Sequence, residues 1–266
     1  MRKLSTLFTI LLFMTSRAQT QNTIPSEFTY EIKGNLSEVV LQIDQLFSDI
    51  TIEGISGASM NIYVKGYEGL PERAKGLRPL SSGGPENTGI GLSISQEGNI
   101  LKLSGAHRKA DDADYTIQLP KTVKLKIDYS SWQAGNIEIN KMENEVEIKS
   151  QISDLSFSDV TGPIVAHTLS ADLELKFSSL NQMSPSSISS TSGNIDVTLP
   201  GDTKGTFKMN TVSGGVYTDL DFDLGEADRK RKIMGASATG KLNGGGVEFS
   251  LKTVSGDIYV RKANAK

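Results

Sequence analysis

Side chains able to do acid–base, nucleophilic or metal chemistry are few in these 266 residues and poorly gathered. There is no cysteine, and the chain has two histidines, so a Ser-His-Asp triad or a histidine-rich metal site would have to use His107 or His167. His107 stands in the charged run Ala106-His107-Arg108-Lys109, and His167 has outward parity in an alternating segment, so both are expected at the surface. Asp111-Asp112-Ala113-Asp114 offers carboxylates to a hard cation such as Ca²⁺. The spaced ligands and late glutamate of a helix–loop–helix calcium loop are missing, so Asp111, Asp112 and Asp114 are read as a solvated acidic turn. Gly235-Ala236-Ser237-Ala238-Thr239-Gly240 comes near the nucleophile-elbow pattern, but Thr239 stands where its second glycine belongs, which makes it a loop. Arg229-Lys230-Arg231-Lys232 is the dense basic patch. Glu226 and Asp228 precede it without interleaved aromatics, as in a solvated loop or a short helix. No catalytic residue, cofactor-binding residue or metal ligand is assigned, and no enzyme is expected.

Alternation of apolar and polar residues dominates the rest of the chain. Asn136-Ile137-Glu138-Ile139-Asn140, Glu145-Val146-Glu147-Ile148-Lys149, Asp154-Leu155-Ser156-Phe157-Ser158, Pro163-Ile164-Val165-Ala166-His167 and Asp172-Leu173-Glu174-Leu175-Lys176 are five such segments. Their lead apolar residues recur every nine positions. Period-two alternation gives a strand one apolar and one wet face, and the turn formers between segments leave no space for a helix. A second rhythm overlies the first. Thr191-Ser192-Gly193-Asn194-Ile195-Asp196-Val197, Thr211-Val212-Ser213-Gly214-Gly215-Val216-Tyr217 and Thr253-Val254-Ser255-Gly256-Asp257-Ile258-Tyr259-Val260 are copies of one motif. Their glycines lie 21 and then 42 residues apart. A fixed period of this size marks stacked repeats.

These features predict an all-β fold, a single-stranded β-solenoid with about two strands per 21-residue repeat. The alternative is an antiparallel sandwich. Ser192-Gly193, Ser213-Gly214 and Ser255-Gly256 are read as structural corners, where glycine takes positive φ and the preceding hydroxyl bonds to the turn. Residues 129–262 carry the regular repeats. Residues 28–128 are strand-like but irregular, with a glycine-, proline- and serine-rich excursion over 66–91. A shorter interruption covers about 223–243, with a helical turn at 226–232. One elongated domain, 19–266, is expected. Its oligomeric state is left open, because an uncapped solenoid end invites edge pairing.

Met1-Arg2-Lys3, the apolar run Leu7 to Met14 and Ser16-Arg17-Ala18 follow in the order of a secretory signal peptide over residues 1–18. The apolar stretch is too short to span a bilayer, and no longer one follows. Removing these residues leaves 25 basic against 31 acidic side chains. A mildly acidic exported protein is poorly suited to nucleic acid, whose affinity comes from phosphate neutralisation. The periplasm or the cell surface is the expected location.

Three stretches carry a resemblance to a known family. They are the octapeptide at 253–260 preceded by Gly244-Gly245-Gly246, the stretch at 191–197 followed by Leu199-Pro200, and Ser56-Gly57 before Asn61-Ile62-Tyr63-Val64. On these the chain resembles the bacterial β-strand-repeat domain of unknown function labelled putative adhesin. The match covers 130–262 well and 28–128 loosely, and departs where Ala171 replaces a corner glycine. The resemblance implies a solenoid exported to the cell envelope with an adhesive role. Side chains repeating along a stiff ladder would suit an envelope protein or polysaccharide as partner. A periplasmic envelope-stress module meeting a membrane partner is the second reading. A polysaccharide-cleaving solenoid is the third, and no cluster of Lys, Arg and Asp supports it.

Overall fold

The computed structural model describes residues 26–264 apart from 75, 78, 80–82 and 225–235. The signal segment, the Arg229–Lys232 patch and the helical turn expected at 226–232 lie outside the described residues. Seven strands form the N-terminal part: β1 (Glu27–Glu31), β2 (Val40–Asp44), β3 (Ile50–Ile55), β4 (Ser59–Lys65), β5 (Leu92–Glu97), β6 (Ile100–Gly105) and β7 (Asp114–Pro120). The regular stretch follows as β8 (Lys124–Tyr129), β9 (Ile137–Asn140), β10 (Val146–Ser150), β11 (Leu155–Val160), β12 (Ile164–Thr168), β13 (Leu173–Phe177), β14 (Ser186–Ser192) and β15 (Ile195–Leu199). The C-terminal part holds β16 (Gly205–Ser213), β17 (Val216–Thr218), β18 (Asp223–Leu224), β19 (Ala236–Leu242), β20 (Glu248–Ser255) and β21 (Ile258–Lys262).

From β6 to β17 successive strands alternate between two sheets, so each sheet II strand and the sheet I strand after it make one coil of a solenoid, as do β2–β3 and β20–β21. Sheet I runs β1-β4-β7-β3-β9-β11-β13-β15-β21-β17, and sheet II runs β18-β19-β16-β20-β14-β12-β10-β8-β2-β6-β5. Coil pairs with coil in parallel register: Val146 sits beside Leu125 and Ile164, and Leu155 beside Ile137 and Leu173. Parallel pairing replaces the antiparallel sandwich alternative. The nine-residue spacing is the step from one sheet to the other, and a coil takes 18 to 22 residues, as the rungs Asp154 to Asp172 and Asp172 to Asn194 show.

The apolar positions of both sheets meet in one continuous core. Leu155, Phe157, Leu173 and Leu175 from sheet I and Val146, Ile148 and Ile188 from sheet II are at most 1% exposed. Each such side chain contributes about 1.5–3 kcal/mol on burial. A lone coil would leave both of its edges unpaired, so neighbours stabilise one another.

The order of coils in space differs from their order in sequence at both ends. The last coil, β20–β21, inserts between β14–β15 and β16–β17. The first coil, β2–β3, inserts between β6–β7 and β8–β9. An aromatic column runs through the C-terminal core in this order: Phe177 against Phe249 (5.5 Å), Phe249 against Phe207 (5.3 Å) and Phe207 against Phe222 (5.2 Å). The doubled spacing between Gly214 and Gly256 therefore marks no missing coil. Those residues include β18 and β19, which fold back antiparallel on β16. At the other end β4 lies antiparallel on β7, β1 on β4, and β5 on β6. Antiparallel strands thus close three of the four sheet ends, and the parallel β17 forms the fourth. The stretch read as a loop at 235–240 is strand β19 over its described part.

Candidate functional site

Backbone and side chains at the corner entering sheet I set the geometry of the outer surface. Asp49 Oδ1 accepts the Asn136 N–H at 2.7 Å, and Asn136 Oδ1 accepts that of Asp154 at 3.3 Å. Asp154 takes Asp172 at 3.1 Å, Asp172 takes Asn194 at 2.7 Å, Asn194 takes Asp257 at 2.9 Å, and Asp257 takes Gly215 at 2.8 Å. Each side chain caps the backbone of the next coil, so six Asp and Asn residues form one ladder along the edge of the sheet. Short acceptor side chains suit this role because they reach backbone donors locally.

The corner leaving sheet II is built from glycine and inward hydroxyls. A β-carbon on Gly193 would overlap the Ala171 carbonyl, one on Gly256 the Gly193 carbonyl, and one on Gly214 the Gly256 carbonyl. Close approach between coils, more than backbone angle, requires these glycines: Gly256 has φ +157°, and Gly193 and Gly214 are not at positive φ. The hydroxyls bonded to the corner come three residues before the glycines. Ser190 Oγ donates to the Ala171 carbonyl (3.3 Å), Thr253 Oγ1 to that of Gly193 (3.0 Å) and Thr211 Oγ1 to that of Gly256 (2.8 Å). Ser192, Ser255 and Ser213, expected to make such bonds, are exposed and stand in register with one another.

The outer face of sheet I carries two ranks of side chains at the same height in successive coils. Thr51, Glu138, Ser156, Glu174, Asp196, Tyr259 and Tyr217 form one. Glu53, Asn140, Ser158, Lys176, Thr198 and Arg261 form the other. Neighbouring rungs of a sheet are about 4.8 Å apart, so the carboxylates and hydroxyls of each rank stand at that interval or a multiple of it. Lys141 pairs with Glu53 (3.0 Å), Lys176 with Glu174 (2.6 Å) and Arg261 with Asp196 (3.0 Å). No ion pair among the described residues reaches Glu138, Asp154 or Asp172. Beside these carboxylates a shallow groove of about 470 Å³ is lined by Asp49, Asn136, Glu138, Asp154, Asp172 and Glu174, among others. Toward the C-terminal end the rank turns aromatic. Tyr217 and Tyr259 stack at 5.3 Å, and the Arg261 guanidinium lies 4.9 Å from the Tyr259 ring centre. The Tyr259 hydroxyl donates to Asp257 Oδ2 at 2.9 Å, which raises its pKa. Period-two alternation alone turns Glu138, Glu147, Ser156, Glu174, Asp196 and Tyr259 outward; all stand on this face but Glu147, which faces out from sheet II.

The sequence-level chemistry is dispersed. Asp111 Oδ1 accepts the Phe47 N–H at 3.0 Å, Asp112 pairs with Lys109 at 3.1 Å, and Asp114 opens β7. Burial raises the Asp111 pKa, with the Phe47 bond opposing. Among the described residues no three His, Cys, Asp or Glu side chains are grouped to hold a metal ion. His167 is exposed on β12, 2.9 Å from Ser189 Oγ. His107 is a correction: it is 8% exposed, stacked on Tyr67 at 5.7 Å, its Nε2 2.8 Å from the Tyr67 hydroxyl and 3.7 Å from Glu86 Oε2. Tyr67 and Glu86 come from the excursion at 66–91 and lie over a segment whose local charge had suggested solvent. Burial, and then the Glu86 carboxylate, raise the Tyr67 pKa well above the ordinary phenol value. His107 Nδ1 is buried without a partner among the described residues. No helix among them is long and apolar enough to cross a membrane.

No curated protein matches the chain. Two solved structures are similar to it. One is described as a putative cell adhesion protein from Clostridium sporogenes ATCC 15579 (15% identity, 90% of this chain and 100% of that one, TM-score 0.46). The other is described as a putative adhesin from Bacteroides fragilis NCTC 9343 (14% identity, 89% and 96%, TM-score 0.33). The family model Toastrack DUF4097 matches residues 41–261, from β2 to β21, and the chain belongs to that family.

Proposed function

We propose that this chain is an exported, non-enzymatic, adhesin-like protein whose working surface is the outer face of sheet I. Residues 1–18 are its signal peptide and 19–266 one elongated domain. The observation that carries this reading is the in-register array itself: carboxylates and hydroxyls repeated coil after coil on a stiff ladder, ending in two stacked tyrosines. Such an array matches a partner that also repeats, such as a polysaccharide or a surface polymer carrying amino or hydroxyl donors. Stacked aromatics add a sequence-tolerant contact for apolar sugar faces.

The test is attachment of cells with and without the gene to glycan-coated surfaces, beside protease digestion of tagged protein on intact cells. Loss of attachment on deletion, with digestion before lysis, is expected. Unchanged attachment together with protection until lysis contradicts it, and would turn attention to periplasmic stress partners.

A further inference from the structure

At the C-terminal end of the stack the two sheets stop at different heights. Sheet I ends with the three-residue β17, whereas sheet II continues past β16 with β19 and β18. Among the described residues the inner side of β19 is therefore only partly covered: Ala236 and Ala238 are half-buried, while Gly240 and Leu242 farther along the strand are buried. An apolar slot of about 620 Å³ results, lined by Met209, Val216, Leu220, Phe222, Leu224 and Ala238 among others.

Among the described residues, one wall of the slot is the unpaired edge of β17. The Ile258 N–H donates to the Gly215 carbonyl, and the Gly215 N–H to Asp257 Oδ1, so the backbone of Gly215 faces β21. Backbone groups of successive residues in a strand point to opposite sides, which turns those of Val216 and Thr218 toward the open edge. Asp219, Asp221 and Asp223 follow immediately, the first holding the Lys262 N–H at 2.8 Å, the other two exposed.

Charge selects among occupants. A second copy docked edge to edge would oppose the same three aspartates to their own kind. A copy docked head to tail would bring up β1, whose exposed charges are Glu27 and Glu31. Like charges on facing strands are destabilising and guard edges against self-pairing.

We propose that this slot receives an extended strand from a partner protein, added alongside β17, with small or branched apolar residues at alternate positions and lysine or arginine at its flanks. Main-chain bonds to Val216 and Thr218 supply affinity, and the slot reads alternate side chains, as in other strand additions. The site lies at the end of the stack and does not depend on the acidic face being the adhesive surface.

The experiment is fluorescence anisotropy with the purified protein and a labelled peptide, Lys-Lys-Val-Thr-Val-Ser-Val-Lys-Lys, against the same peptide with glutamates for lysines. Binding tighter than about 100 μM is expected for the lysine peptide alone. Ala238→Trp, which fills the slot, and Asp221→Lys with Asp223→Lys, which reverses its charge, should each weaken binding by about tenfold or more. Lys126→Gln on the outer face of sheet II should leave it unchanged. Equal binding of both peptides, or no loss in either slot variant, overturns the proposal. So does peptide binding that appears only after residues 225–235 are replaced by a glycine–serine linker, which assigns the slot to the chain itself. Peptide competition with a dimer seen by sedimentation assigns it to a second copy and overturns it equally.

Discussion

Gly193 shows how little room separates one coil from the next. A methyl group there would push against the Ala171 carbonyl, a backbone atom held by the next coil. Gly193→Ala is expected to cost ~1–3 kcal/mol in denaturant unfolding, as overpacking does. Ser192→Ala, at the exposed neighbour once credited with the bond, should stay within about 0.5 kcal/mol. A reversed ranking would return the corner to the serine. The serine-glycine pair was conspicuous in the sequence because both residues are small and repeated. The bonded hydroxyls of Ser190, Thr211 and Thr253 looked like ordinary strand residues, and only the inward direction of their side chains gives them the role. Asp111 offers a pH readout. Its pKa is raised in the folded state, so the native protein holds this proton more tightly than the unfolded chain. The contribution is complete below the ordinary carboxylate pKa and is lost as pH rises through the folded value. Asp111→Asn should flatten that part of the stability profile between pH 3 and pH 6, roughly the carboxylate range. An unchanged slope would place the proton elsewhere.

At the level of elements, alternation was enough to locate the strands of the regular stretch, because period two follows from backbone geometry alone. Pairing order was not available in the same way. Every coil presents nearly the same inward residues, so Gly214, 21 positions after Gly193, looked like its neighbour, yet Gly256 lies between them. The cysteine-free chain makes this directly testable. Ser192→Cys with Ser255→Cys joins adjacent rungs, within the ~4.4–6.8 Å that a disulfide spans between α-carbons. Ser192→Cys with Ser213→Cys joins rungs two apart, about 9.6 Å. Oxidation should cross-link the first pair and leave the second free, as read by gel mobility. The opposite result would restore sequential stacking. The Asp and Asn ladder was half visible, since these residues stand just before the lead apolar position of each sheet I strand. Its continuity needed the register. Asp172→Ala should cost about 1 kcal/mol by leaving the Asn194 N–H without its acceptor, while Asp172→Asn should lose little. Equal losses would show that charge, not acceptance, matters there.

Over the whole molecule, the coils β2–β3 and β20–β21 are each threaded between neighbours, with antiparallel strands at three of the four sheet ends and the parallel β17 at the fourth. The antiparallel end strands limit end-to-end growth into filaments. The strand content was legible in the sequence. The burial of His107 and the unequal ends of the two sheets were not, because both depend on segments distant in sequence meeting in space. What the molecule then offers is a rod with one acidic, repeating face and a second sheet carrying lysines such as Lys126, Lys149 and Lys208 among its outward residues. The central claim is that the first of these faces does the binding. The most direct measurement is attachment of cells expressing Glu138→Lys with Glu174→Lys, compared with cells expressing Lys126→Glu with Lys208→Glu at equal surface level. The account predicts that the sheet I pair loses most attachment and the sheet II pair keeps it. Attachment retained by the first pair and lost by the second would contradict it.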